Sequence, residues 1–291
     1  MVVINDPNFS IPQICDSGQC FRLEPVGNGE YVLQAADRYL KIRTGRREQT
    51  EERGLGKWED AAENESESQT ILYCTEEEYH SFWETYFDLN VSYRDYLDRI
   101  DPEDAYLIRA AAFGSGIRIL RQDVWEMIIT FILSQQNNIP RIRKMIRELS
   151  HSFGEKKEAE DGTFYYGFPT PERLAGVSED ELREMKFGYR SRYICGSAAS
   201  VADGRFDLAS LTGMEYGRAK EELIKLPGIG GKVADCICLF ALHHMDAFPV
   251  DTHIKSVLDT CYSAGFPFER YRGCAGVMQQ YIFYYDLKGN N

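Results

Sequence analysis

One ten-residue segment constrains this chain more than any other: Leu226-Pro227-Gly228-Ile229-Gly230-Gly231-Lys232-Val233-Ala234-Asp235. A helical pattern over about 215–225 stops there, because proline lacks an N–H and cannot continue the ladder. A second pattern starts near Gly231 and runs to about 243, with Val233, Ile237, Phe240 and Ala241 at i, i+4, i+7 and i+8. Gly228 and Gly230 tolerate positive φ and close backbone approach, so the turn can present its N–H groups outward. Beside a helix N-terminus, such donors suit a phosphate oxygen. An ordinary packing corner between two helices fits the same composition. The segment therefore predicts a helical hairpin over 215–243 and leaves its use open.

The rest of the chain divides by period. Before residue 90, Cys20-Phe21-Arg22-Leu23, Tyr31–Gln34, Tyr39–Ile42 and Thr70–Tyr73 read as short strands, with a Gly27-Asn28-Gly29 turn between two of them. Thr75 followed by Glu78 is a capping-box helix start. Beyond residue 90 the period is helical. Val124, Ile128, Ile129 and Ile132 follow an Asp123 N-cap, and Ile139, Ile142, Ile146 and Leu149 mark a more basic helix. Further helices are expected near 178–186, 189–202, 252–263 and 272–287. The fold class is α+β: an N-terminal domain over 1–100, with an antiparallel sheet and an acidic loop insert at about 46–68, and a mainly helical body over 101–291.

Composition removes several classes of function. Of 291 residues, 43% are apolar, too many for a disordered chain, yet no run approaches the roughly 18 apolar residues of a membrane helix. The first residues carry no basic and apolar secretion pattern. Eight scattered cysteines without a C-x-x-C pair predict a reducing, cytoplasmic setting rather than a disulfide scaffold. The net charge of −13 argues at first sight against a nucleic-acid partner. Of the 46 acidic and 33 basic residues, however, 20 and 10 lie in the first hundred positions. The helical body is nearly balanced, and DNA binding there is not vetoed.

The hairpin segment, followed by Pro249-Val250-Asp251-Thr252-His253, resembles the helix-hairpin-helix and Gly/Pro-Asp element of the HhH-GPD superfamily of DNA glycosylases. Ser17-Gly18-Gln19-Cys20-Phe21-Arg22, Ser134-Gln135-Gln136-Asn137-Asn138-Ile139, Gly188-Tyr189-Arg190 and the run from Gln279 to Leu287 bring it closest to 8-oxoguanine DNA glycosylase/AP lyases. The match covers roughly 115–291 well and the first hundred residues more loosely. It implies a TBP-like N-terminal sheet, a monomer, and double-stranded DNA containing 8-oxoguanine as partner. It implies neither membrane nor cofactor. In a bacterium the location would be the nucleoid.

Carried over residue by residue, the resemblance makes Lys232 the nucleophile. An unprotonated amine can attack the electron-poor C1′ and hold the sugar as a Schiff base. A lysine on the first turn of a helix is otherwise an ordinary surface residue. Asp251 would assist lysine deprotonation or sugar activation, and is equally well placed as an N-cap. Gly18 would aim its backbone carbonyl at N7 of the lesion, where 8-oxoguanine carries a hydrogen and guanine a lone pair; a simple turn glycine is the plain alternative. Gln279 and Phe283 lie four apart on one helix face and resemble the family's amide and stacking ring. Cys236, one turn beyond Lys232, matches the cysteine on the other side of the base. Buried core cysteine and phenylalanine are the plain readings of those two positions. His253, with Asp286 orienting it, would reach a phosphate, as would the turn at Gly228 and Gly230. Gln136, Asn137, Arg141, Tyr189 and Arg190 resemble the groups that fill the gap left by the flipped base and meet the orphaned cytosine. Gln136 stands where eukaryotic relatives carry asparagine.

Other patterns are missing from the sequence. The four closely spaced cysteines of iron–sulfur relatives are absent, as Cys261 and Cys274 alone cannot hold a cluster, and no H-x-E…C-x-x-C zinc pattern occurs. No metal is implied. Two rival functions are a glycosylase/lyase for other oxidised or alkylated bases and a non-catalytic helix-hairpin-helix module that only binds DNA.

Overall fold

The computed structural model describes residues 1–47, 58–59 and 69–289. Its N-terminal part is an antiparallel sheet built from β1 (Val2–Ile4), β2 (Leu23–Gly27), β3 (Glu30–Ala35), β4 (Arg38–Arg47), β5 (Trp58–Glu59) and β6 (Gln69–Tyr73). The strand order is β1-β6-β4-β3-β2, and the short β5 pairs with the end of β4. The expected turn at Gly27-Asn28-Gly29 joins β2 to β3, and all three residues take positive φ. The acidic insert expected at 46–68 falls largely outside the described residues.

Alternation along the strands sends Leu23, Leu33, Leu40, Ile42 and Leu72 to one face, where each is fully buried. Against them pack α1 (Ile11–Asp16) and a helical stretch comprising α2 (Glu76–Glu78), a π-turn (Tyr79–Trp83) and α3 (Glu84–Tyr86). The Thr75 capping box starts that stretch, with both reciprocal bonds formed. A fully buried aliphatic side chain contributes roughly 1.5–3 kcal/mol, so these five strand residues account for much of the cohesion of this layer.

The helical body contains α4 (Tyr93–Leu97), α5 (Ala105–Phe113), α6 (Val124–Ser134) and α7 (Ile139–Phe153), then the two-stranded β7 (Lys156–Glu158) and β8 (Phe164–Tyr166). There follow α8 (Pro171–Ala175), α9 (Glu179–Glu184), α10 (Arg190–Ala202), α11 (Tyr216–Ile224), α12 (Gly231–Phe240), α13 (Thr252–Cys261) and α14 (Ala275–Lys288). Asp123 caps α6 through a bond from the Glu126 N–H at 2.8 Å. Helix α6 is apolar but for Glu126, Thr130 and Ser134 and is buried along nearly its whole length, as so apolar a helix requires. Helices α12 and α7 pack against it.

Two expectations need correction. Cys20, Phe21 and Arg22 lie outside any strand; β2 starts only at Leu23. Their side chains are buried and the segment is held by long-range bonds instead of a ladder. Gln19 Nε2 donates to the Arg118 carbonyl at 2.9 Å, its Oε1 accepts from the Leu120 N–H at 2.9 Å, and Gln122 Nε2 donates to the Gln19 carbonyl at 2.9 Å. The second correction is at the hairpin, where α12 ends at Phe240, three residues early; His243 there takes φ +58.

A buried ion pair ties the two parts together. Arg22 Nη1 lies 3.1 Å from Glu126 Oε2, and both side chains are under 8% exposed. Arg22 also donates to the Ala36 and Tyr166 carbonyls and to Gln34 Oε1. This saturation is what makes a buried charge tolerable, and it fixes the 17–22 segment against α6.

Candidate active site

The hairpin turn can only be built with glycine at position 228. Gly228 has φ +80, and a Cβ there would fall 2.3 Å from Tyr193 Cγ. The turn also interlocks with α10, since a Cβ on Gly196 would lie 3.0 Å from Pro227 Cγ. Gly230 is the N-cap of α12 in extended conformation and makes no side-chain cap bond. The first turn of α12 therefore presents its N–H groups with no capping oxygen from its own cap residue.

Lys232 sits in that first turn and is half-buried. Its Nζ lies 5.6 Å from the centroid of the Phe131 ring on α6. It also reaches the Cys236 thiol one turn on. Burial pushes this thiol up to about 11, the Lys232 charge and hydrogen bond oppose that rise, and the charges of Asp235 and Asp251 add to it. Lysine, thiol and carboxylate thus share one electrostatic neighbourhood. A thiol that stays protonated at neutral pH gives Lys232 no counter-anion. Asp251 caps α13, accepting from the Ile254 N–H at 2.9 Å through Oδ1. It is held in place by the backbone it caps.

A second group of residues comes together from the turn after α1, from α13 and from α14. Gly18 has φ +74, and a Cβ on it would lie 3.0 Å from Phe283 Cε1 and 4.0 Å from Ile139 Cδ1. The Phe283 ring stands edge-on to His253, with centroids 5.7 Å apart at 84°. His253 Nδ1 is 2.8 Å from Asp286 Oδ2. Gln279 is buried one turn before Phe283; its Nε2 donates to the Pro249 carbonyl at 3.0 Å and its Oε1 accepts from Gln280 Nε2 at 3.2 Å. Through Pro249 the amide is tied to the strand of chain that delivers Asp251.

The third group is a tip formed by the α6–α7 connection and the start of α10. Tyr189 Oη donates to the Gln135 carbonyl at 3.3 Å, and Arg190 bonds the carbonyls of both Gln135 and Gln136. Arg190 is only 4% exposed, and its guanidinium lies 4.7 Å from the Tyr189 ring centroid. Asn137 turns its amide inward, onto the Leu133 carbonyl at 3.0 Å and Met145 Sδ at 3.2 Å. Gln136, Tyr189 and Arg141 are exposed, and Gln136 is held at φ +48. Two of the five side chains picked from sequence for this tip, Asn137 and Arg190, thus serve as internal braces in this conformation.

Gln135 is a further member of this tip, beyond the five residues expected from sequence. Its Nε2 donates to the Gly228 carbonyl at 2.9 Å while its own carbonyl receives Tyr189 and Arg190. This one residue joins the tip to the hairpin. The signal was its place in the Gln135-Gln136-Asn137 run; an amide is one of the few side chains able to brace a turn carbonyl. Among the described residues no three His, Cys, Asp or Glu side chains converge to hold a metal. No helix of the described residues is long and apolar enough to cross a membrane.

Comparison with known proteins matches both parts. Residues 1–128 fit the family described as 8-oxoguanine DNA glycosylase, N-terminal domain, and residues 129–266 fit the HhH-GPD superfamily base excision DNA repair protein. A solved Clostridium acetobutylicum 8-oxoguanine glycosylase/lyase, in complex with double-stranded DNA containing cytosine opposite to 8-oxoG, is 33% identical. It superposes with a TM-score of 0.84 over 98% of this chain and 93% of its own. An N-glycosylase/DNA lyase of Saccharomyces cerevisiae is 36% identical over 190 residues, 61% of this chain and 50% of its own. The N-glycosylase/DNA lyase OGG1 of Arabidopsis thaliana is 45% identical over 146 residues, 49% of this chain and 40% of its own. The chain thus spans about half the length, or less, of these two curated relatives. On the nearly full-length structural match and the two family fits, the chain belongs to the 8-oxoguanine DNA glycosylase family within the HhH-GPD superfamily.

Proposed function

We propose that the protein is a base-excision-repair DNA glycosylase with associated AP lyase activity, which extrudes 8-oxoguanine from duplex DNA and excises it through Lys232. The observation that carries this reading is the position of the Lys232 amine. It is half-buried in the first turn of α12 and hydrogen-bonded to the Cys236 thiol, which also feels the charge of Asp251.

In this reading the phosphates beside the lesion rest on the N–H groups at Gly228–Gly230 and on His253, which Asp286 orients. The extruded purine takes a slot between Cys236 and Phe283, with Gly18 presenting its carbonyl to N7–H and Gln279 its amide to the Watson–Crick edge. For Gln279 to read the base, it must exchange a bond now made to Pro249 or Gln280. Guanine, with a lone pair at N7, would set two acceptors against each other, and an unpaired polar group of that kind costs about 1–3 kcal/mol.

The chemistry then follows from one amine. The Lys232 nitrogen bonds to C1′ as the C1′–N9 bond breaks, and the purine leaves with that electron pair and takes up a proton. Asp251 stabilises positive charge on the sugar in the transition state. Loss of a proton from nitrogen and opening of the sugar ring give the Schiff base. Removal of a C2′ proton expels the 3′ phosphate by β-elimination, and water releases the amine. Gln136 and Tyr189 fill the vacated stack and, with Arg141, face the orphaned base. The enzyme acts as a monomer on double-stranded DNA and needs no cofactor.

A cleavage panel tests the reading. Duplexes holding 8-oxoguanine, thymine glycol, an alkylpurine or a bare abasic site are incubated with the protein. Cleavage of the 8-oxoguanine and abasic duplexes, with little on the other two, is expected. Preference for thymine glycol or an alkylpurine would move the protein to another glycosylase class. Binding without cleavage of any duplex would leave only a DNA-binding module.

A further inference from the structure

In a chain of net charge −13, a concentration of cations calls for a physical reason. Helix α7 carries Arg141, Arg143, Lys144 and Arg147 against one acid, Glu148. Two of these bases hold the fold together. Arg143 Nη2 donates to the Cys15 carbonyl at 2.6 Å, and Arg147 Nη2 pairs with Glu24 at 2.6 Å, both bonds reaching the N-terminal domain. Arg141 and Lys144, three apart on the outer face, are exposed. Arg141 makes a long 3.4 Å bond to the Lys186 carbonyl, and Lys144 stands 3.7 Å from Glu148 in an open pair that contributes little.

Lys186 supplies the second observation. It sits just past α9, where the Lys186 N–H bonds the Arg183 carbonyl at 2.9 Å and the Phe187 N–H bonds the Leu182 carbonyl at 3.2 Å. That pair of bonds is a Schellman ending, and Lys186 occupies its left-handed position at φ +65. Glycine is the residue this position favours, because a Cβ is strained there. The last turn of α9 already has a cation, Arg183. A strained, exposed lysine with no ion pair among the described residues is better explained by what its charge meets outside the chain.

Arg141, Lys144 and Lys186 line one groove of about 650 Å³ between α7 and the end of α9, with Glu148 and Glu184 also on its walls. The groove starts at the tip: Lys186 precedes Tyr189 by three residues, and Arg141 follows Asn138 by three. We infer that Lys144 and Lys186 form a phosphate track that binds the sugar–phosphate backbone of the DNA strand opposite the lesion, leading outward from Arg141, which faces the orphaned base. This rests on the proposed glycosylase reading, in which the tip faces that strand.

The test is the salt dependence of binding to a lesion-containing duplex, for wild type, Lys144→Gln, Lys186→Gly and the double variant. Each phosphate contact adds about 0.9 to the slope of log K against log salt. Each single variant should lose about one unit of slope and the double variant about two. Lys186→Gly should melt no lower than wild type, because glycine relieves the left-handed strain. A double variant with the wild-type slope overturns the inference. Methylphosphonate substitution locates the track: neutral linkages beside the orphaned base on the opposite strand should weaken wild type and leave the double variant little changed. If neutral linkages on the lesion strand do this instead, the strand assignment is wrong. Wild type that neither binds nor cleaves the lesion duplex would count against the glycosylase reading itself, whatever the variants do.

Discussion

Gly18 and Phe283 face each other so closely that a Cβ on residue 18 would lie 3.0 Å from the phenyl Cε1. The glycine is also at φ +74, where an L-residue is strained. The two penalties act on different links. Strain of about 1–2 kcal/mol lowers stability, while displacement of the ring deforms the proposed slot. Gly18→Ala should lower the melting temperature by roughly 2–6 °C and reduce 8-oxoguanine excision at least tenfold, with affinity for undamaged duplex nearly unchanged. Wild-type excision by the alanine variant would separate Gly18 from base recognition.

Burial raises the Cys236 thiol to about 11, so this thiol stays protonated and unreactive at ordinary pH. Cys261 is exposed. Iodoacetamide at pH 8, read by peptide mass mapping, should alkylate Cys261 first and leave Cys236 unlabelled until the protein unfolds. Equal labelling of the two would mean that the wall beside Lys232 is open to solvent.

Asp88, at the end of the N-terminal helical stretch, braces the turn that follows the hairpin helix α12. Its carboxylate is 3.3 Å from His243 Nε2 and 2.9 Å from Arg121 Nη2, and it accepts from Tyr93 Oη at 3.1 Å. Burial alone would raise the Asp88 carboxyl, but His243 and Arg121 outweigh it and hold it below its ordinary value. A carboxyl depressed on folding contributes stability that is complete above its unfolded value, near 3.9, and is lost as pH falls through the lower folded value. Asp88→Asn should cost about 1–3 kcal/mol at pH 7 and show a shallower loss of stability below pH 4. Urea unfolding of both proteins at pH 7, 4 and 3 measures this. Parallel acid limbs would place the linkage elsewhere.

What was legible in the sequence is what local chemistry decides. Asp123, Thr75 and Asp251 announce helix starts because a cap needs only its own neighbourhood, and all three cap as their positions suggest. The hairpin was legible because proline and glycine punctuate a helix whatever surrounds them. The segment around Cys20 departs from its β-prone pattern because it is held by Gln19, Gln122 and Arg22 through bonds that span 99 to 144 positions. Helix α1 and the β7–β8 hairpin are short and only faintly marked in the sequence, by Ser10 with Pro12 and by the Asp161-Gly162 turn. In the site, residue types could be matched to positions, but not the direction of a side chain. Only packing shows that Arg190 and Asn137 point inward and that Gln135 spans the tip and the hairpin.

The most direct measurement is borohydride trapping of protein on an 8-oxoguanine duplex, wild type against Lys232→Gln. The account predicts a covalent protein–DNA product with wild type, and none with the variant, which still binds the lesion duplex. A glutamine variant trapped as well as wild type would contradict it, because the bond to C1′ would then come from another nitrogen.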